Sequence, residues 1–281
     1  MCVLSQAFQR REKLNSNTLW QCYSEGKQTA AQLAEQHGCS IKTIRRYLAK
    51  ATTQANGVLP QAPVNLVMDT TYFGRKWGVM VLYDACSKRA LMVVAVERET
   101  NALYTQAVAA LREKGVVIQS IICDGKSGLL GSFLDISVQM CQFHQIKIIV
   151  RHLTRKPKSQ AAQALRSLSL TLTETTQAAF EAALKRWYEQ YAAFLNERSV
   201  NEETGQSHYT HKRLRAAYNS LKRHLPWLFT CERFPNLGIP NTTNLLEGKF
   251  SEMKQFLQCH RGLKEESKLR FIKDYFAKES S

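Results

Sequence analysis

Three acidic residues, Asp69, Asp124 and Glu247, occupy positions from which carboxylates could share metal ions. Asp69 ends the apolar run 64–69, and Asp124 follows the apolar run 116–123. Glu247 lies in the segment 241–250, where Asn and Thr residues precede apolar side chains at helical spacing, a pattern that predicts the start of a helix. We therefore predict that two strand ends and the edge of one helix carry these carboxylates.

Two Asp and one Glu residue from separate elements suit a pair of divalent cations, because hard oxygen ligands favour Mg²⁺ or Mn²⁺. Two such ions, about 3.5–4 Å apart, can activate a water or a 3′-hydroxyl and stabilise the leaving oxygen of a phosphoryl transfer. Taken singly, each acid is better explained as an ordinary strand-end or helix-edge residue. Their order on separate elements of a basic chain favours catalysis over the rivals Asp84, Glu97 and Asp135, of which Asp84 and Asp135 fall in turn or loop positions.

Cys141 and His144 form a second candidate group, with a Cys-x-x-His spacing that could supply half of a tetrahedral zinc site. No second pair of ligands is apparent nearby in the sequence, so we predict that the protein holds no stoichiometric zinc. We favour a hydrogen-bonding or packing pair near the acids, and a metal or DNA contact remains the alternative. His144 is expected to be largely neutral near pH 7.

The elements that would position these residues follow a ribonuclease H-like order, which makes the predicted fold class α/β. Three strands (64–69, 77–84 and 90–97), a helix (102–114) and a returning strand (116–123) precede a fifth run at 137–143. The predicted domains are an N-terminal arm (1–18), a helix-turn-helix domain (19–50), a linker (51–62), the first part of the core (63–144), an all-α insertion (145–235) and a C-terminal helical part of the core carrying Glu247 (236–281).

The segment 19–50 predicts two short helices joined at Gly38, the second capped by Ser40. Its apolar side chains Ile41, Ile44 and Leu48 predict one buried face. The opposite face would enter the major groove of DNA through Lys42, Thr43, Arg45 and Arg46. A plain helical hairpin with solvated basic residues is the alternative.

The chain of 281 residues has a formal net charge of +16, which favours a polyanionic partner such as double-stranded DNA over an inert basic surface. In the insertion, Lys147, Arg151 and Arg155 are expected to contact phosphates, although such a run is also typical of a solvated face. Eight scattered cysteines indicate reduced thiols in a cytosolic protein, and charges interrupt the most apolar region, 79–96.

Several motifs together resemble prokaryotic insertion-sequence transposases of the Mutator-like type. They are Asp69-Thr70-Thr71-Tyr72-Phe73-Gly74-Arg75, Cys123-Asp124-Gly125, Gln139-Met140-Cys141-Gln142-Phe143-His144-Gln145, Asn241-Thr242-Thr243-Asn244-Leu245-Leu246-Glu247-Gly248 and Cys259-His260-Arg261-Gly262-Leu263. The resemblance implies a DDE transposase with a ribonuclease H-like core, in which Asp69, Asp124 and Glu247 are the catalytic, metal-binding acids supported by Cys141 and His144. It also implies two Mg²⁺ or Mn²⁺ ions per site, binding of terminal inverted repeats and joining of 3′ ends to target DNA.

Further expectations follow from this resemblance. Arg261 is expected to contact DNA, and the protein is expected to act as a homodimer or higher oligomer on DNA, associated with the nucleoid in the cytoplasm. Relatives of this type often begin with a Cys-x-x-Cys zinc ribbon, of which this sequence has only Cys2, a departure that bears on end recognition more than on catalysis. A ribonuclease H-like nuclease without strand transfer and a non-catalytic DNA-binding regulator remain the alternatives.

Overall fold

The computed structural model describes residues 14–52, 59–260 and 263–278. The chain forms two compact units. The central unit comprises residues 59–250, and the terminal unit combines residues 14–52 with 251–260 and 263–278. Within these described ranges, no helix is long and apolar enough to cross a membrane.

The N-terminal part of the terminal unit consists of three helices, α1 (Ser16–Ser24), α2 (Ala30–Gln36) and α3 (Ile41–Lys50). The predicted cap Ser40 accepts a hydrogen bond from the backbone at the start of α3, and Thr29 caps α2 in the same way. Gly38, with φ of 56°, makes the turn between them. Of the predicted apolar face of α3, Ile44 and Leu48 are buried, but Ile41 is 42% exposed.

Two predicted segments only partly overlap the described residues. The helix α1 starts at Ser16, so residues 16–18, which we assigned to an N-terminal arm, are helical. Residues 1–13 of that arm lie outside the described part of the chain. So do residues 53–58 of the predicted linker, whereas Ala51 at its start is buried.

The central unit is built on a mixed five-stranded sheet with the order β3-β2-β1-β4-β5. Its strands are β1 (Val64–Phe73), β2 (Trp77–Asp84), β3 (Arg89–Val96), β4 (Ile118–Cys123) and β5 (Ser137–Met140). The first three pair antiparallel, and β4 lies parallel to both β1 and β5. The helix α4 (Asn101–Glu113) connects β3 to β4, so the predicted α/β class and the predicted order of these elements are confirmed.

Two of the predicted strand ends are wrong. The strand β1 does not end at Asp69 but continues to Phe73, because Thr70, Thr71 and Tyr72 keep pairing with β2. These residues favour strands through their branched or aromatic side chains, although they do not form an apolar run. The strand β5 ends at Met140, three residues earlier than predicted, and a helix begins at Gln142.

The region that follows is mainly helical, with α5 (Gln142–Leu153), α6 (Gln160–Leu170), α7 (Gln177–Asn196), α8 (Lys212–Leu228) and α9 (Thr230–Arg233). The prediction of an all-α segment over 145–235 is wrong in one place. The short strands β6 (Arg198–Val200) and β7 (Ser207–Tyr209) form an antiparallel hairpin between α7 and α8. Its turn is stabilised by the Asn201 carboxamide, which accepts hydrogen bonds from two backbone N–H groups, and by Gly205 at positive φ.

The last two helices are α10 (Asn244–Gln258) and α11 (Glu265–Lys278). Leu246, Phe250 and Met253 of α10 are buried, as the helical spacing predicts. In the terminal unit, His260 is 3% exposed and its ring lies 4.0 Å from that of Tyr23. Neither ring nitrogen of His260 has a hydrogen-bond partner among the described residues.

Candidate metal and active site

The sheet brings Asp69 and Asp124 to the same level on neighbouring strands. In the parallel pairing of β1 with β4, Val67 lies opposite Ile122. Asp69 is two residues beyond Val67, and Asp124 is two residues beyond Ile122, immediately after β4 ends. The two carboxylates therefore start from adjacent backbone positions, although Asp69 lies inside its strand and not at its end.

The helix α10 is fixed beside the start of α5 by contacts with the segment that precedes it. The backbone N–H of Gln142 donates to the carbonyl oxygen of Asn241 at 3.0 Å. The N–H and hydroxyl of Thr243 both donate to the Cys141 sulfur, at 3.3 and 3.4 Å. These bonds place the first turn of α10, which carries Glu247, next to the first turn of α5, which carries His144.

Three ligand-type side chains converge at this point. Oxygen atoms of Asp69 and Glu247 and a ring nitrogen of His144 all lie within 4.8 Å of one another. The Nε2 atom of His144 is 3.3 Å from Glu247, and Lys147 donates to both carboxylate oxygens of Glu247, at 2.9 and 3.1 Å. One turn of α5 therefore supplies two groups that can neutralise Glu247.

Asp124 lies beside this group of ligand atoms without being part of it. Its carboxylate accepts a hydrogen bond from the backbone N–H of Lys126 at 3.1 Å, which folds the following loop back onto the acid. Its charge nevertheless reaches Asp69, since it contributes to the raised pKa of that residue. The structure thus brings Asp69, Glu247 and His144 together, with the fourth candidate, Asp124, adjacent.

Burial raises the pKa of Asp69 to about 6. The neighbouring His144 and a 2.8 Å hydrogen bond from the Thr70 N–H lower this pKa, whereas the charges of Glu247 and Asp124 raise it. Desolvation of the carboxylate therefore outweighs the stabilisation that His144 and the Thr70 N–H give to its charged form. A site of this kind gains stability when it binds a cation.

Cys141 and His144 interact with each other. Burial alone raises the pKa of the Cys141 thiol, but the hydrogen bond and charge of His144, with Thr243, outweigh it and leave the pKa below its ordinary value. Burial lowers the pKa of His144, but Cys141, Asp69 and Glu247 raise it above its ordinary value. Cys141, Asp69 and Glu247 therefore favour the protonated form of His144 more than an isolated imidazole would experience.

The geometry of the site bears on the zinc hypothesis and on the two rival acids Asp84 and Asp135. Among the described residues, the sole group of three or more potential metal ligands is the one at Asp69, and Cys141 is not in it. Asp84 is buried, contrary to its predicted surface position, and caps the β2–β3 turn through the backbone N–H groups of Cys86 and Ser87. Asp135 forms a 2.7 Å ion pair with Arg112.

The predicted DNA contacts lie on both units. On α3, Lys42, Arg45 and Arg46 are exposed, whereas Thr43 is partly buried and bonds to the capping Ser40. On the central unit, Arg151 and Arg155 are exposed and Lys147 pairs with Glu247. Arg261 lies outside the described residues.

A set of hydrogen-bonded side chains near Asp69 was not indicated by the sequence. The Tyr104 hydroxyl donates to Glu99 at 2.7 Å and lies 2.9 Å from the hydroxyl of Thr70. The Lys126 ammonium donates to the backbone carbonyl of Glu99 at 2.7 Å and lies 3.5 Å from its carboxylate. Glu99 follows β3 by three residues and carries no motif of its own, so only the folded structure relates it to Asp69.

The donor set fits a divalent cation. Two carboxylates provide the oxygen ligands that Mg²⁺ and Mn²⁺ prefer, and the imidazole of His144 can act as a further ligand or as a neighbouring positive charge. The raised pKa of His144 favours the second role. Asp69, Glu247 and, from the adjacent strand end, Asp124 are the residues that would hold such ions.

A family model matches the middle of the chain. Residues 80–216 match the family described as "Transposase, Mutator family", which confirms the predicted resemblance to Mutator-like transposases. The matched segment contains Asp124, Cys141 and His144, whereas Asp69 and Glu247 lie outside it. No curated protein matches the chain significantly.

Two solved structures show distant similarity. One is a chain of the Drosophila P element transposase strand transfer complex, at 12% identity and a TM-score of 0.44, with 95% of this chain and 93% of that chain covered. The other is a chain of the simian T-cell lymphotropic virus intasome in complex with the PP2A regulatory subunit B56 gamma, at 13% identity and a TM-score of 0.23, with 71% and 74% covered. At these TM-scores neither similarity carries an argument about function.

Proposed function

We propose that this chain, with its match to the Mutator family of transposases, is a metal-dependent DNA transposase with a ribonuclease H-like core. The observation that carries the proposal is the convergence of Asp69 and Glu247 next to Asp124, from two parallel strands and a distant helix. The net charge of +16 supports a nucleic-acid substrate. The strand order β3-β2-β1-β4-β5 agrees with the core that the sequence predicts.

In this proposal Asp69, Asp124 and Glu247 hold two Mg²⁺ or Mn²⁺ ions. Bound there, such ions would activate the attacking water or 3′-hydroxyl and stabilise the leaving oxygen. The chain's own groups prepare the site: Thr70 orients the Asp69 carboxylate, and Lys147, with His144 when its ring is protonated, offsets the charge of Glu247. The exposed cations of α3 are proposed to bind the inverted-repeat ends of the element.

A second role for His144 follows from its position between the acids and Cys141. Its Nδ1 atom lies 3.4 Å from the Thr243 hydroxyl, and its Nε2 atom faces Glu247 at 3.3 Å. A protonated imidazole held in this way can donate a hydrogen bond to a non-bridging oxygen of the scissile phosphate. We assign Cys141 a positioning role, because its buried sulfur contacts both Thr243 and His144.

The proposal is tested on DNA that carries the inverted repeats flanking this reading frame. Wild-type protein with Mg²⁺ or Mn²⁺ is expected to nick the repeat ends and to join them to a target duplex. Asp69→Ala, Asp124→Ala and Glu247→Ala should each abolish nicking and leave DNA binding largely intact. Asp135→Ala serves as the matched control, since Asp135 is an exposed acid in an ion pair away from these carboxylates.

The alternatives give different results in the same experiment. Nicking without joined products would indicate a ribonuclease H-like nuclease. DNA binding without metal-dependent nicking would indicate a regulator and would overturn the enzymatic proposal. Near-normal nicking by one of the three variants would remove that residue from the catalytic set.

A further inference from the structure

A groove beside Asp124 has the chemistry of a binding site for a polyanion. It has a volume of about 580 Å³ and is lined by the loop that follows Asp124, by α5 and by α8. Arg151 of α5 and Arg223 of α8 both line it, and no acidic residue lines it among the described residues. Ser127 and Asn219 add side chains that can donate hydrogen bonds.

The walls of this groove are held together by buried polar contacts. Gln145 of α5 bonds through its side chain to Ser220 at 3.2 Å and to His224 at 2.7 Å, and both partners are on α8. The far end of α8 is tied to β5, where the Gln139 side chain donates to the Leu228 carbonyl at 2.8 Å. The groove is therefore preformed, which reduces the entropic cost of binding a ligand.

The two arginines are available for a ligand. Both are exposed, and the described part of the chain gives neither of them an ion-pair partner. Lys126, by contrast, is engaged by Glu99. Burial lowers the pKa of the neighbouring His224, and the charge of Arg223 lowers it further while that of Asp124 raises it.

A second basic cavity continues the groove. It has a volume of about 690 Å³ and shares His152 with the groove. Its lining contains the cations Lys156, Lys158, Lys212 and Arg213. Arg213 and Arg223 are ten residues apart on α8, a distance of about 15 Å along the helix axis. This length spans roughly four to five nucleotides of a B-form strand at about 3.4 Å per nucleotide.

We propose that the groove and this second cavity, together the α5–α8 track, bind the sugar–phosphate backbone of DNA on one side of the scissile phosphate, over four to five nucleotides. The inference deepens the proposed function and rests on it, because the position of the track beside Asp124 makes a strand leaving the catalytic acids its natural occupant. The track offers cations and small polar groups, which contact phosphates without reading base sequence.

The experiment compares Arg151→Gln/Arg223→Gln with Lys222→Gln. Lys222 is an exposed cation on the same helix that lines neither cavity, so it controls for the loss of a single positive charge outside the track. Binding to repeat-end DNA and to an unrelated duplex is measured by fluorescence anisotropy across a salt series. The double variant should lower the slope of log K against log salt by about 2 for both DNAs, and the control should leave it unchanged.

A second series maps the direction of the track. Cleavage substrates are shortened on one flank, then on the other, to about two nucleotides beyond the scissile phosphate. Arg213→Gln should weaken the binding of full-length substrates and have no effect when the flank in the track is shortened. Arg223→Gln should weaken binding in both cases, since Arg223 lies in the groove beside Asp124.

The outcomes separate this inference from the proposed function. If wild-type protein cuts repeat ends and the double variant binds like Lys222→Gln, the track is refuted and the transposase function stands. If wild-type protein binds with the predicted arginine dependence but never cuts, the track stands and the catalytic proposal fails. If poly-glutamate of equal charge binds more tightly than DNA and depends on Arg223, the track takes an acidic protein and the inference is refuted.

Discussion

The raised pKa of Asp69 predicts that Asp69→Asn stabilises the metal-free protein. The pKa of Asp69 rises from 3.8 to about 6, mainly through burial, so the folded state holds this proton more tightly than the unfolded state. Ionising Asp69 therefore costs stability as pH rises from the unfolded value towards the folded one, and the cost is complete above about pH 7. An Asn side chain at the same position does not ionise and avoids this cost.

The size of the effect follows from the shift of about two pKa units. Each unit corresponds to about 1.4 kcal/mol, so Asp69→Asn should gain about 3 kcal/mol at pH 7.5 and about 1.5 kcal/mol at pH 5. For a folding unit of about 200 residues, 3 kcal/mol raises the melting temperature by roughly 6–12 °C. Urea and thermal unfolding in EDTA, at pH values between 5 and 8, measure both quantities.

Two controls make this prediction specific. Asp135→Asn should give no gain at any pH, because Arg112 lowers the pKa of the exposed Asp135. Added Mg²⁺ or Mn²⁺ should stabilise the wild-type protein and not Asp69→Asn, which lacks a charged ligand. A gain that did not change with pH, or no gain at all, would refute the assignment of Asp69 as a buried, under-compensated carboxylate.

Three further predictions concern other parts of the chain. Replacing Arg45 and Arg46 together by Ala should weaken binding to the element's ends. It should also lower the slope of log K against log salt by about 1 for each phosphate that is no longer neutralised. Unchanged binding across the salt series would show that α3 does not recognise the ends. Elemental analysis should find no stoichiometric zinc in the wild-type protein. This prediction would be contradicted by about one zinc per chain in the wild type that is lost in both Cys141→Ala and His144→Ala. Burial lowers the pKa of His260, so this residue should cost the wild-type protein stability as pH drops below 6.5, and His260→Phe should gain stability relative to wild type over that range. Equal pH dependence of unfolding in the two proteins would contradict this prediction.

The strands that carry the acids could be predicted from sequence because they are apolar and β-branched. The continuation of β1 beyond Asp69 could not, since Thr70, Thr71 and Tyr72 form no apolar run and are held in the strand by pairing with β2. The β6–β7 hairpin could not be predicted either, because its strands are short and mostly polar. In both cases tertiary pairing, and not local hydrophobicity, determines the structure.

The candidate site could also be predicted only in part. The acids could be chosen from their order on separate elements, and Cys141 with His144 from their spacing. The raised pKa of His144 could not be predicted, because it depends on the charges of Asp69 and Glu247, which the fold brings close from distant parts of the chain. The groove beside Asp124 could not be predicted from sequence either, since it is formed by two helices separated by more than fifty residues.

The pairing of Lys147 with Glu247 supports a final prediction, which concerns metal affinity. The ammonium group contacts both oxygens of a carboxylate that would hold a cation, so it competes with that cation. Because the Lys147 side chain is 47% exposed, solvent weakens this pair, and a contribution of about 0.2–1 kcal/mol is appropriate. Lys147→Ala should therefore tighten Mn²⁺ binding in the absence of DNA by about 1.4- to 5-fold, and Lys147→Arg should leave it near the wild-type value. Calorimetric titration with Mn²⁺ measures this directly. If Lys147→Ala bound Mn²⁺ no better than wild type but bound DNA more weakly, Lys147 would serve as the phosphate contact that the sequence predicts, and its competition with the metal would be refuted.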